Sequence, residues 1–223
     1  MIKNGNSPFN KYSLEYDKWF DEHPFAFQSE LQAVRCFIPE QRIGVEIGVG
    51  TGRFASGLNI PIGIEPSESM ASIARSRGIE VLKAFAEELP FDDNSFDYAL
   101  MVTTLCFVEV PGKALIEVMR ILKPGGNFIL GIIDRETQLG RIYESRRGEA
   151  STDESMKSSN KFYHDAKFYS TEEAIKLVNG TGFVYRQACQ TIFSDPDKMT
   201  APDPVHDGYG EGAFVVINSV NSS

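Results

Sequence analysis

One stretch constrains this chain above the others: Val45-Glu46-Ile47-Gly48-Val49-Gly50-Thr51-Gly52-Arg53-Phe54-Ala55. Apolar Ile43, Val45 and Ile47 predict a buried strand. Glycines at alternate positions then form a turn without Cβ atoms, free to take positive φ and to let a ligand approach the backbone. A helix follows, and its first N–H groups and positive dipole end suit an anionic group. In isolation the same residues would also suit a plain tight strand-to-helix turn. The spacing is Gly-x-Gly-x-Gly, which differs from the dinucleotide Gly-x-Gly-x-x-Gly.

Strands and helices alternate after this turn. Ile60 to Ile64 predicts a second short strand ending in Glu65, with Pro66 and Ser67 starting a helix that runs from Ser69 to Arg77. Glu65 falls where a doubly wound sheet places the acid that accepts hydrogen bonds from ribose hydroxyls. An acid that complements a helix dipole is the ordinary alternative. Gly78 to Ala84 predicts a third strand. Phe85 to Asp97 leads into a fourth, Tyr98 to Thr104, a near-continuous apolar run of the kind that parallel sheets bury on both faces. Its end, around Thr103, lies in the crevice where open α/β sheets bind ligands. Pro111 to Leu122 predicts a helix with Leu115, Val118, Met119 and Leu122 inward, and Lys123-Pro124-Gly125-Gly126 turns into a fifth strand, Asn127 to Ile133.

The glycine loop, the acid after strand two, Ala86-Glu87-Glu88-Leu89-Pro90-Phe91, Ser95-Phe96-Asp97 and Arg120-Ile121-Leu122-Lys123-Pro124-Gly125-Gly126 stand in one order and spacing. Together they resemble the class I S-adenosylmethionine (SAM)-dependent methyltransferases, specifically the small-molecule group that contains the ubiquinone and menaquinone biosynthesis enzymes. The likeness is close over Gly44 to Gly131 and looser beyond. It implies an α/β fold, a Rossmann-like doubly wound seven-stranded sheet with helices on both faces and the last strand antiparallel. It also implies SAM as cofactor, with Gly48, Gly50 and Gly52 bordering its methionine part. Glu65, beside Pro66, would take the ribose, and Ala86 and Glu87 the adenine edge, a surface acidic turn being the alternative for the last two. Thr103 and Tyr16 complete the cofactor set. Glu46 would orient the loop or the cofactor's amino group, and Arg53 faces either the cofactor carboxylate or solvent.

Methyl transfer is an in-line displacement at carbon, so it requires neither a metal nor a covalent nucleophile, and the sequence displays neither. Many relatives carry a histidine after strand four, where Leu105 and Cys106 stand here. His23, His164 and His206 remain as bases, if one is needed. His164 and Tyr163 rank first, because they sit in a variable segment expected to cover the substrate.

The N-terminal part, residues 1–38, reads as lid helices before a cofactor-binding core at 44–133. Residues 1–11 predict a loose arm. Tyr12, Tyr16, Trp19 and Phe20 then share one helix face, suited either to packing or to closing over a sulfonium cation. Phe25 to Ile38 predicts a helix with Leu31, Val34 and Phe37 inward, ended by Pro39. Two later segments, 134–170 and 194–212, predict substrate covers. Leu139 to Arg147 reads as a short helix, Arg147 to Lys161 as polar and mobile, and Ser170-Thr171-Glu172-Glu173 as a helix start. Val184 to Phe193 and Ala213 to Val220 predict a closing antiparallel hairpin.

The 223 residues suffice for one α/β domain. A net charge of −9, from 22 basic and 31 acidic side chains, lacks the footprint of nucleic-acid binding and favours a small-molecule acceptor. No apolar run approaches a membrane span, and Cys36, Cys106 and Cys189 are scattered, which predicts buried free thiols and a cytoplasmic setting. A non-catalytic SAM-binding or scaffold protein of the same fold is the alternative function, and an NAD-dependent oxidoreductase a more distant one.

Overall fold

A computed structural model describes residues 7–145 and 162–222. The expected mobile segment, Arg147 to Lys161, lies outside the described residues. The strands are β1 (Gly44–Ile47), β2 (Ile62–Ile64), β3 (Glu80–Leu82), β4 (Phe96–Val102), β5 (Leu122–Ile133), β6 (Phe183–Thr191), β7 (His206–Asp207) and β8 (Phe214–Asn221). They form one sheet in the order β3-β2-β1-β4-β5-β8-β6-β7. The first five strands pair in parallel. The last strand, β8, lies antiparallel between β5 and β6. The sheet therefore has eight strands where seven were expected. The addition is the two-residue β7, which Cys189 and Gln190 recruit from the long connection to the edge of β6.

The order reverses between β1 and β4, which puts the crevice at the carboxyl ends of these strands. Strand alternation sorts the core by face. On β4, Ala99 and Met101 join the layer under α6 (Pro111–Ile121) and α8 (Thr171–Gly180). Tyr98, Leu100 and Val102 join the opposite layer, under α3 (Pro24–Arg35), α4 (Arg53–Leu58) and α5 (Glu68–Ser76). Both layers are apolar, as a sheet covered on both faces requires. The α8 start is a capping box, with the Ser170 hydroxyl accepting from the Glu173 N–H and the Glu173 carboxylate accepting from the Ser170 N–H.

Of the loose arm expected over 1–11, residues 1–6 lie outside the described residues, and residues 8–11 are helical rather than loose. A helical turn, α1 (Pro8–Lys11), precedes α2 (Ser13–Glu22). On α3 the buried set is Ala26, Ser29, Ala33 and Val34, while Leu31 and Phe37 are half-buried. The helix sits close to α4 because Gly57 has no Cβ; one built there would lie 3.0 Å from the Leu31 methyls. Cys189 is buried and Cys106 half-buried, but Cys36 is exposed, one residue past the end of α3.

Because β6 runs parallel to β5, the connection after it rises on the crevice side. So does α7 (Gln138–Ser145), which follows β5.

Candidate active site

The glycine turn crosses from β1 to β2, with the N–H groups of Gly48 and Val49 donating to the Ile64 carbonyl at 2.8 and 2.9 Å. Gly48 is held at φ +74°, and a Cβ there would meet the Thr104 side chain at 2.4 Å. Gly50, at φ +55°, has only the Met70 methyl nearby, 3.6 Å from where its Cβ would be. Its N–H donates to Glu65 Oε2 at 3.1 Å, and the Ser67 N–H donates to Glu65 Oε1 at 2.8 Å. Burial pushes the Glu65 carboxyl up to about 7 although these two N–H groups pull the other way. Glu46 points from β1 to the same face and is equally buried. Its Oε2 has no hydrogen-bond partner among the described residues. Burial drives this carboxyl well above the usual range; the Ala55 N–H opposes the shift and the nearby Glu65 adds to it.

Glu46, Gly48, Gly50, Glu65, Thr103 and Tyr16 line one cavity of about 60 Å³. These expected residues come together, and Phe9, Phe20 and Phe107 close the cavity with aromatic faces. Four others do not line it. Gly52 caps α4 and packs on α5, where its Cβ would lie 3.0 Å from that of Ala74. Pro66 precedes the Ser67 cap of α5. Ala86 is sunk in the core. Glu87 Oε1 accepts from the N–H groups of Glu109 and Val110 at 3.0 and 3.3 Å, and so pins the turn before α6. Arg53 also lines the cavity, with its guanidinium held by α2. It grips Asp17 and Asp21, which ties α2 to the end of the glycine loop.

A second cavity, of about 80 Å³, shares Tyr16, Phe20, Phe54 and Thr103 with the first. Trp19, Tyr143, Phe162 and Tyr163 form much of its wall, together with Glu30 of α3. It adjoins a wider vestibule of about 630 Å³ between α2, α7 and the segment from Ile192 to Lys198. Thr103 stands at the junction with φ +46°, an uncommon conformation for a β-branched residue and one that concentrates at functional sites. The phenol of Tyr16 is raised far by burial and hydrogen-bonds the Thr103 side chain.

Tyr163 lines the second cavity, and burial raises its phenol well above the ordinary value, so it is a protonated hydroxyl at neutral pH. His164 lines neither cavity; its ring is exposed and bonded to Asp165 at 2.9 Å. His23 bonds the Trp19 carbonyl and Asp197, and His206 lies on the exposed edge strand. Asp134, at the end of β5, is structural: its Oδ2 accepts from the Thr171 hydroxyl at 2.6 Å.

The sequence did not single out Glu30, Phe162 or Met70. Glu30 gave no signal, because an acid on an amphipathic helix ordinarily marks the solvent side.

The fold and cleft define a Rossmann-like α/β protein with its ligand crevice at the sheet's switch point. The family described as "Methyltransferase domain" matches residues 45–130. A crystal structure from Thermotoga maritima, described as a SAM-dependent methyltransferase and possible histamine N-methyltransferase, is 52% identical. The match covers 96% of this chain and 97% of that one, with a TM-score of 0.88. An uncharacterized protein of Methanocaldococcus jannaschii is 47% identical over 95% of this chain and 97% of its own length. A demethylmenaquinone methyltransferase of Clavibacter sepedonicus is 35% identical over 44% of this chain and 43% of its own. The chain belongs to the SAM-dependent methyltransferases, and SAM is its cofactor. No helix among the described residues is long and apolar enough to cross a membrane.

The residues present fit that cofactor. The unpartnered Glu46 oxygen suits an ammonium group, Glu65 suits paired hydroxyls, and the aromatic faces suit a sulfonium.

Proposed function

We propose that this methyltransferase acts by in-line displacement on a small organic acceptor that enters the aromatic cavity from the vestibule. One observation carries the reading: two cavities, one lined by the glycine turn and two buried acids, the other by aromatic rings, meet at Tyr16 and Thr103.

SAM, when bound, supplies a methyl group on a good leaving group. The chain's own contribution is then orientation and the exclusion of water. Glu65 accepts hydrogen bonds from the ribose hydroxyls once Gly50 and Ser67 have fixed its two oxygens. Glu46 holds the amino group. Phe9, Tyr16 and Phe20, carried by α1 and α2, cover the cleft and keep water out. Thr103 and Tyr16 set the line along which the acceptor approaches. The ring-lined wall of the second cavity supports a small acceptor.

Calorimetric titration with S-adenosylhomocysteine tests the cofactor assignment. Wild type binds saturably, and Glu65→Ala binds at least tenfold more weakly, about 1.4 kcal/mol. A folded wild-type protein that does not bind would overturn the reading.

A further inference from the structure

We propose that Glu30 makes the aromatic cavity selective for an amine, binding the acceptor as an ammonium ion and taking the proton that must leave the nitrogen before methylation. The inference rests on the methyltransferase reading of the adjoining cleft and adds the acceptor class and the residue that selects it.

Glu30 is half-buried and faces the cavity among Tyr16, Trp19, Phe162 and Tyr163. Its carboxylate makes no hydrogen bond or ion pair with any other described residue, and burial is the sole cause of its shift. Among the described residues, no lysine, arginine or histidine lines the cavity. The titratable groups that face it are Glu15, Tyr16 and Glu22 from α2, Tyr143 from α7, and Tyr163. Each of these is acidic or neutral. A carboxylate in an apolar enclosure with no cation is costly to desolvate, and burial alone pushes Glu30 up to about 8. An alkylammonium ion removes that cost in two ways: it pairs with the carboxylate, and the ring faces attract it. A neutral alcohol or phenol does neither.

The vestibule favours the same charge. Glu22, Asp195, Asp197 and Glu211 line it against Lys198 and His23, so the approach is net negative and draws cations inward.

The reaction balances with this residue. An ammonium nitrogen has no lone pair, so its N–H proton passes to a Glu30 oxygen and leaves a neutral amine. The lone pair forms the N–C bond while the C–S bond breaks, its electrons remaining on sulfur. The product is the methylated ammonium ion, and Glu30 returns its proton to water when the product leaves. An ordinary carboxylate, near 4.3, would be a poor acceptor from an amine near 10.4. A carboxyl raised by burial is much better matched.

Trp19 is the only tryptophan in the chain and lines this cavity, so its fluorescence reports occupancy. The experiment titrates matched pairs, such as 2-phenylethylamine against 2-phenylethanol, into wild type, Glu30→Gln and Glu30→Asp with S-adenosylhomocysteine present. Wild type prefers at least one amine over its neutral isostere by tenfold or more. The preference collapses toward unity in Glu30→Gln and partly returns in Glu30→Asp, while S-adenosylhomocysteine affinity, measured by calorimetry, is unchanged and shows that the variants fold. Two results would overturn the assignment with cofactor binding intact: no amine outbinding its isostere, or a preference that survives in Glu30→Gln. Wild type that fails to bind S-adenosylhomocysteine would instead overturn the methyltransferase reading and this inference with it.

Discussion

Arg53 closes on Asp17 through two parallel hydrogen bonds, Nε to Oδ1 at 2.9 Å and Nη2 to Oδ2 at 2.8 Å, and so clamps α2 to the first turn of α4. Arg77 adds a third, from Nη2 to Asp17 Oδ2 at 2.8 Å, while its Nη1 holds the Thr51 carbonyl of the glycine loop. Burial pushes the Asp17 carboxyl up, but the hydrogen bonds from Arg53 and Arg77 outweigh it and hold it at about 2. The contribution of this group is present above the unfolded value near 3.9 and is lost only as pH falls through about 2.

Removing the clamp should loosen α2 from α4. Arg53→Ala is expected to cost about 1–3 kcal/mol of stability, the range for charged hydrogen bonds lost from a half-buried site. Amide exchange over Ser13–Glu22 speeds at least tenfold, and S-adenosylhomocysteine dissociates faster. Arg53→Lys does not restore the wild-type rates, because an ammonium cannot make the planar fork. Exchange mass spectrometry checks this; unchanged protection in α2 would show that packing alone holds it.

Glu46 couples cofactor binding to a proton. Burial holds its carboxyl well above the usual range, so an ammonium group pairing with the unpartnered Oε2 should draw the proton off. Binding should therefore release a proton, and affinity should rise with pH. Calorimetry of S-adenosylhomocysteine in buffers of different ionisation enthalpy measures the release directly. Glu46→Gln should abolish most of it; a release that is the same in the variant would place the proton elsewhere.

Stability of the ligand-free protein runs the other way. Glu65 binds its proton more tightly when folded, being raised to about 7 from an ordinary value of 4.5. Its contribution is fully present below the unfolded pKa and is lost as pH rises through about 7. Glu30 and Glu46 are shifted in the same direction. Urea midpoints measured from pH 5 to pH 8 should fall, and Glu65→Gln should flatten the slope. A midpoint that climbs over this range in wild type contradicts the assignment.

The two cavity-lining glycines separate fold from ligand. Gly48→Ala combines a positive φ with a Cβ driven against Thr104 at 2.4 Å, and should cost about 3 kcal/mol or more. Gly50→Ala has room beside Met70 and should cost only the left-handed strain, about 1–2 kcal/mol. Its loss of S-adenosylhomocysteine affinity should exceed its loss of stability, since Gly50 borders the cleft and positions Glu65. Paired urea and calorimetric titrations distinguish the two. Equal effects of the two substitutions on stability would refute the distinction.

Much of this protein is legible in local pattern. The β1 strand, the glycine turn, Glu65 after β2 and the Lys123–Gly126 turn are set by residues adjacent in the chain, where periodicity and the φ freedom of glycine act directly. The alternation along β4 likewise foretells a sheet covered on both faces. Side-chain roles that depend on distant segments were not legible. Arg53 finds Asp17 across 36 positions, and no spacing rule links them. Glu87 falls at the predicted turn, yet the N–H groups of Glu109 and Val110 occupy its carboxylate. His164 and Tyr163 are neighbours in the chain, but one ring faces solvent and the other the cavity. Glu30 sits on a helix that sequence describes adequately, and only the rings brought over it from α2 and from the segment before α8 strip it of water. Sequence alone determined the backbone path and the place of the cleft, because those follow from short-range geometry. Desolvation and charge pairing came from the tertiary structure, because both depend on which remote groups fill the space around an atom.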